Sequence, residues 1–308
     1  MTRRLLRAAL ALGLLALLWQ ALDGAEVAAR LARLDPVWLG VALGLLFVQT
    51  LLSALRWRLT AGRLGQAMTR GHALREYFLA QSVNLTLPGG VLGDAARALR
   101  AGATAGLERG SQAVLFERLA GQAALVGVAL LAGGLSVAVP GGLALPAPLA
   151  VAFAVLAGGL VAAAAVLPRV AARRPVLARW LAALRWSVLH RDVALRQAAL
   201  SLGTVAANVL SFAAAAAATG LVLPAGAVFA LLPLVLFAML IPFGIGGWGF
   251  REGAAVALLP MAGASAEAAF TASAAFGLVF LTASLSGLAL SWRLARLPRS
   301  DLPARGAE

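Results

Sequence analysis

The chain has no cysteine and no lysine. The first absence excludes disulfides, thiolate nucleophiles and cysteine-based metal centres, and leaves the redox compartment unreadable. The second excludes a nucleotide-binding loop of the Gly-x-x-x-x-Gly-Lys-Ser/Thr type. Charge is scarce too: 12% of the 308 residues are charged and 62% are hydrophobic, far from the balance of a soluble domain. Acidic residues are the scarcest, 12 against 26 basic ones, every one of the latter arginine, for a net charge of +14. That excess raises nucleic acid as a partner. The arginines, however, fall between apolar runs and at their ends, and no basic face interleaves with stacking aromatics, so nucleic acid is not expected. The two histidines, His72 and His190, sit in arginine-rich loops and read as solvated, so no metal or other cofactor is expected.

What is present is a series of long apolar runs. Six of them, near residues 5–23, 37–55, 113–138, 147–167, 196–221 and 266–292, match the ~20 residues needed to cross a hydrocarbon core of about 30 Å. The expected fold is all-α, a polytopic integral membrane protein forming one domain over residues 1–308. The first run, behind Arg3, Arg4 and Arg7, resembles a secretory signal with small residues at Gly24 and Ala25, but in a polytopic chain it reads as an uncleaved span. The positive-inside rule places both termini, the arginines from Arg56 to Arg75 and those of residues 169–196 in the cytoplasm, as in a bacterial inner membrane. The linker 140–148 and the turn at Pro224 then fall outside. Arg30 and Arg33 run against the rule, and their stretch reads as an interfacial amphipathic helix. Residues 169–196 carry Leu177, Leu181, Leu184, Val188 and Leu189 at helical spacing, which reads as a helix on the inner surface.

Two further segments share one pattern: an apolar run, a proline with a glycine cluster, then a second run opening on charges. One is Leu85–Arg97 with Pro88, Gly89 and Gly90; the other is Leu240–Gly253 with Pro242, Gly244, Gly246 and Gly247. Residues 72–109 begin and end among cytoplasmic arginines, so their apolar part must enter and return on one side. Residues 226–263 begin and end outside. Each is expected to be a re-entrant helical hairpin, the two of opposite sense, as in an inverted repeat that lines a transport site. In the alternative reading, residues 227–243 span fully.

Both hairpins would point the amino-terminal N–H groups of a half-helix into the membrane, where a phosphate can dock. Asp94, Arg97 and Arg100 share a helix face; Arg251 and Glu252 are adjacent and are expected to need separate partners; Glu117 and Arg118 lie in the first turns of a span. One reading has Arg97 and Arg251 gripping a lipid phosphate from two sides, with Asp94, Glu117 and Glu252 balancing them. The other has the charges pairing to lock the hairpins, with Asp94 as an N-cap, Arg97 its partner and Glu117 bonded to a nearby arginine. Gln81 and Asn84 either line the cavity or bond a neighbouring helix.

The segments Gly89–Arg97, Phe116–Gly121 and Gly246–Gly253 resemble the signatures of the lysylphosphatidylglycerol synthase transmembrane family, also called flippase-like, over nearly the whole chain. Here Val91, Leu92 and Gly93 separate the glycine pair from Asp94, where the family's motif usually runs Gly-Gly-Asp. The resemblance implies movement of a lipid between leaflets, not catalysis, since the large aminoacyl-transfer domain is absent. It puts Asp94, Arg97, Glu117, Arg118, Arg251 and Glu252 on the family's charged positions, beside Gly89, Gly90, Gly246 and Gly247. The partners it implies are membrane lipids with anionic head groups, and a lipid-biosynthetic enzyme. The rival readings are a membrane-embedded lipid-modifying transferase and an accessory subunit of a biosynthetic enzyme.

Overall fold

The computed structural model describes residues 2–87, 90–138, 146–241 and 246–295. Pro88, Gly89, the linker 139–145, the segment 242–245 with Pro242 and Gly244, and the tail with Arg296 and Arg299 lie outside the described residues. All regular structure among the described residues is helical. The α-helices in chain order are α1 (Thr2–Ala21), α2 (Gly24–Leu31), α3 (Pro36–Arg63), α4 (Arg70–Thr86), α5 (Leu92–Ala105), α6 (Leu107–Ala138) and α7 (Ala147–Ala172). After them come α8 (Pro175–Leu184), α9 (Arg191–Ala218), α10 (Ala225–Ala230), α11 (Leu232–Phe237), α12 (Phe250–Leu258) and α13 (Ala266–Ala295). Five of them, α3, α6, α7, α9 and α13, are long and apolar enough to cross a membrane. A sixth span arises if Leu12–Ala21 and α2 count together, although these pieces are bent 104° apart.

The boundaries follow local chemistry. Asp35 caps α3 by accepting Val37 N–H at 2.8 Å, ahead of Pro36 at the first helical position. Thr69 Oγ1 caps α4 through His72 N–H at 3.2 Å. The helix expected over 169–196 is shorter than its apolar spacing suggests: α7 runs on to Ala172, α8 and a π-turn at Arg185–Leu189 form the surface piece, and α9 starts at Arg191. None of the apolar window of α7 is buried, so it stands almost free of the bundle.

Two ends of the bundle are chemically distinct. At one, the arginine-rich end of α3 meets the π-turn: Trp186 Nε1 donates to Arg63 O at 3.2 Å, and the Arg63 guanidinium lies 3.9 Å from the centre of the Trp186 ring. At the other, Asp35 N–H donates to Ala218 O at 2.9 Å, which joins the start of α3 to the end of α9. The pair α4–α5 is a hairpin rooted at the arginine-rich end, where Arg58 Nε donates to Met68 O at 2.8 Å. The segment from α10 to α12 is a second hairpin rooted at the opposite end, where Gly226 sits against Ser136 at the close of α6. The two hairpins approach at Leu85 and Gly246, where a β-carbon built on Gly246 falls 2.9 Å from Leu85 O. α13 runs past both hairpins on a face of small residues: Gly277 leaves room for Arg251 and Trp248, and Gly287 for Phe78.

Candidate functional site

α3, α4, α5 and α6 converge on one buried cluster of charge. Arg56 of α3 donates to Glu117 Oε1 through Nη2 at 2.5 Å and Nε at 3.2 Å, and Tyr77 O–H of α4 donates to the same oxygen at 3.2 Å. Arg97 of α5 bridges Asp94 Oδ1 at 2.9 Å and Glu117 Oε2 at 3.2 Å. Its guanidinium lies over the rings of Trp57 and Tyr77, 4.7 and 4.5 Å from their centres. Arg118 of α6 closes the set with a short ion pair to Asp94 Oδ2. Three guanidiniums against two carboxylates leave the cluster with one positive charge. Close helix approach makes it possible: Gly121 seats the Arg56 guanidinium, a β-carbon there falling 2.6 Å from Nη2, and Gly93 lets α5 lie against the α4 backbone at Ala80.

Beside the cluster lies a cavity of about 590 Å³ lined by residues of both hairpins. Gly90, Val91, Asp94 and Asn84 of the first hairpin and Met239, Ile241, Gly246 and Gly247 of the second line it, with Arg56, Arg118, Gln122 and Asn208 from the spans between them. Arg56 lies seven residues from the end of α3, which puts the charged wall about 10 Å inside the arginine-rich end of the bundle.

The site residues expected from sequence separate into two groups. Gly90, Asp94, Arg118, Gly246 and Gly247 line the cavity; Arg97 and Glu117 stand behind its wall, with no exposure; Gly89 lies outside the described residues. Arg251 and Glu252 do not line it. They pair with each other, which corrects the expectation of separate partners. Arg251 Nε donates to Ser273 Oγ at 3.0 Å, and Ser273 O–H donates to Glu252 Oε1 at 3.2 Å. Arg251 also lies over the Trp248 and Phe276 rings, so a grip on one phosphate by Arg97 and Arg251 is not the geometry present.

The half-helix ends are partly occupied as well. Glu252 Oε2 accepts Gly249 N–H at 2.7 Å, and Asn84 Oδ1 accepts Gly93 N–H at 2.8 Å, so at each half-helix start one N–H is taken by the protein's own side chain. Asp94 is not the N-cap of α5. It is the third residue, after Val91 at the cap, and it spends its oxygens on arginines. Gln81 and Asn84 both line the cavity and bond across helices, Gln81 to Ser284 Oγ at 3.0 Å and Asn84 to Asp94 at 2.9 Å. Arg56 and Arg118 line the cavity, and within the cluster Arg56 Nη1, Arg118 Nε and Arg97 Nε and Nη1 are enclosed with no hydrogen-bond partner.

The sequence model of the family described as the lysylphosphatidylglycerol synthase TM region matches residues 4–287. The chain belongs to this family. Membership ties it to membrane lipids, in keeping with a multi-pass helical fold. No curated protein and no solved structure matches it. In this family member the two residues that sequence reasoning missed are Arg56, counted only as a flanking charge, and Tyr77. Arg56 had a signal: Gln49, Ser53, Arg56 and Thr60 form a polar stripe at helical spacing on an otherwise apolar helix.

Proposed function

We propose that this protein carries an anionic lipid, a phospholipid or a polyprenyl- or hopanoid-type lipid, across the bacterial cytoplasmic membrane, its head group passing through the cavity that both hairpins line. One observation carries the reading: a cluster with one uncompensated positive charge puts the Arg56 and Arg118 side chains on the wall of a cavity inside the bundle. A charge within the membrane is costly unless it faces a partner or a wet cavity, and a mobile anion is the partner the geometry lacks. The two hairpins are read as re-entrant from opposite leaflets, with both termini cytoplasmic.

The protein is read as a carrier and not as an enzyme. Among the described residues Asp94 is the one carboxylate on the cavity wall, and arginines hold both of its oxygens, so it is poorly placed to take a proton from a substrate. A transporter without a nucleotide loop draws on a gradient, a partner or the imbalance of the lipid itself, and a lipid-biosynthetic enzyme would supply the cargo.

Purified protein in vesicles containing labelled phosphatidylglycerol tests the proposal. Leaflet exchange should rise well above the protein-free rate and fall at least tenfold in Arg118→Gln, with the variant still folded. Equal exchange with and without protein, or an unchanged rate in the folded variant, would overturn it.

A further inference from the structure

A second concavity lies at the arginine-rich end of the bundle, on the side of α3 turned away from the charged cluster. Gln49, Ser53 and Arg56 of α3 face the first cavity, whereas Leu51, Leu55 and Arg58 line this groove of about 670 Å³, which the start of α4 and one face of α9 bound. The two spaces share no lining residue. Three arginines, Arg58, Arg70 and Arg196, stand around the groove, with no carboxylate among its described lining. Arg70 and Arg196 are exposed, and among the described residues neither has an ion-pair or hydrogen-bond partner. Arg58 gives only its Nε away, to Met68 O at 2.8 Å. The acid placed to neutralise Arg196 is Asp192, one turn before it on α9, and it lies against His190 and Arg191 instead.

Polarity is sorted along the depth of the groove. Arg58 lies five residues from the end of α3 and Arg196 five from the start of α9, so both sit about 8 Å inside the arginine-rich end. Leu55 and Leu51 follow on α3, the latter about 10 Å deeper than Arg58, and Leu200 is one turn deeper than Arg196. That is the order of a phosphate head above an acyl chain, and a basic pocket between membrane helices suits an anionic head group. A soluble anion would have no use for the apolar floor.

We propose that this groove binds an anionic phospholipid from the leaflet at that end, its phosphate among Arg58, Arg70 and Arg196 and an acyl chain along Leu55 and Leu51. The site lies outside the proposed transport path, with α3 between them, and stands whether or not that reading does.

Native mass spectrometry of detergent-purified protein, titrated with phosphatidylglycerol or phosphatidylcholine of matched acyl chains, provides the test. Every variant carries Arg118→Gln, which takes an arginine out of the first cavity. In that background phosphatidylglycerol should be retained at least tenfold better than phosphatidylcholine, and adding Arg70→Gln with Arg196→Gln should remove most of the preference. Neither side chain bonds within the protein, so the unfolding temperature should not move. Arg174→Gln with Arg179→Gln, an equal loss of charge on α8, should leave the preference in place. Ala199→Trp fills the groove and keeps its charge, and it should weaken retention as well. Equal retention of the two lipids, a preference that survives without Arg70 and Arg196 or falls as far in the α8 variant, or full retention in a folded Ala199→Trp protein would overturn the proposal. Displacement of the lipid by millimolar glycerophosphoglycerol, the head without chains, would contradict a lipid as the occupant.

Discussion

Arg97 and Glu117 are fully enclosed, and each is the other's partner within a network that also holds Arg56, Asp94 and Tyr77. Breaking a buried ion pair from one side leaves a charge without compensation, at about 3–5 kcal/mol. Glu117→Gln strands Arg56 and leaves Arg97 with Asp94 as its one ion-pair partner, so it should lower the thermal unfolding temperature in detergent sharply, while Glu108→Gln at the exposed start of α6 should leave it nearly unchanged. Equal stability of the two variants would contradict the network. At this scale the sequence was half legible. Spacing paired Arg97 with Asp94, because three residues along a helix is a local relation. It could not pair Arg56 with Glu117, 61 positions apart, or see that Arg251 turns back onto Glu252, because those choices depend on Gly121 and Ser273 arriving from other helices.

The hairpins are the elements on which the site depends, and they approach at Leu85 and Gly246, where backbone has to come close. Gly246 has φ +57°, and a β-carbon there would press on Leu85 O at 2.9 Å. The conformation alone costs an L-residue about 1–2 kcal/mol. Gly246→Ala should therefore loosen this approach, lowering both thermal stability and lipid exchange. Gly226→Ala, whose nearest neighbour is Ser136 Oγ at 3.6 Å, should alter neither. A full rate in Gly246→Ala would show that the close approach is not needed. The existence of these hairpins was readable from proline, glycine and the arginine count on either side. That Glu252 and Asn84 each reach back to one N–H of a half-helix start was not, since side-chain reach of that kind is set by packing.

Across the whole molecule the arginine-rich termini of α3 and α9 gather at one end and the apolar turns at the other, the asymmetry on which the proposed orientation rests. The native chain has no cysteine, which makes single-cysteine labelling direct. Val222→Cys, at a position 83% exposed, should react with an impermeant maleimide in intact cells; Leu189→Cys, at one 62% exposed, should react only after permeabilisation. Labelling of both from one side would contradict the topology. Apolar length and arginine placement made the spans legible, whereas the convergence of four helices on one net positive charge emerges only from packing. The most direct test of that charge as an anion site is Ser111→Cys, a near-isosteric change on the cavity wall. In nanodiscs its maleimide reaction should slow at least several-fold when phosphatidylglycerol replaces phosphatidylcholine, and the slowing should vanish when Arg118→Gln is added. A reaction rate indifferent to the lipid, or protection that persists without Arg118, would contradict the account.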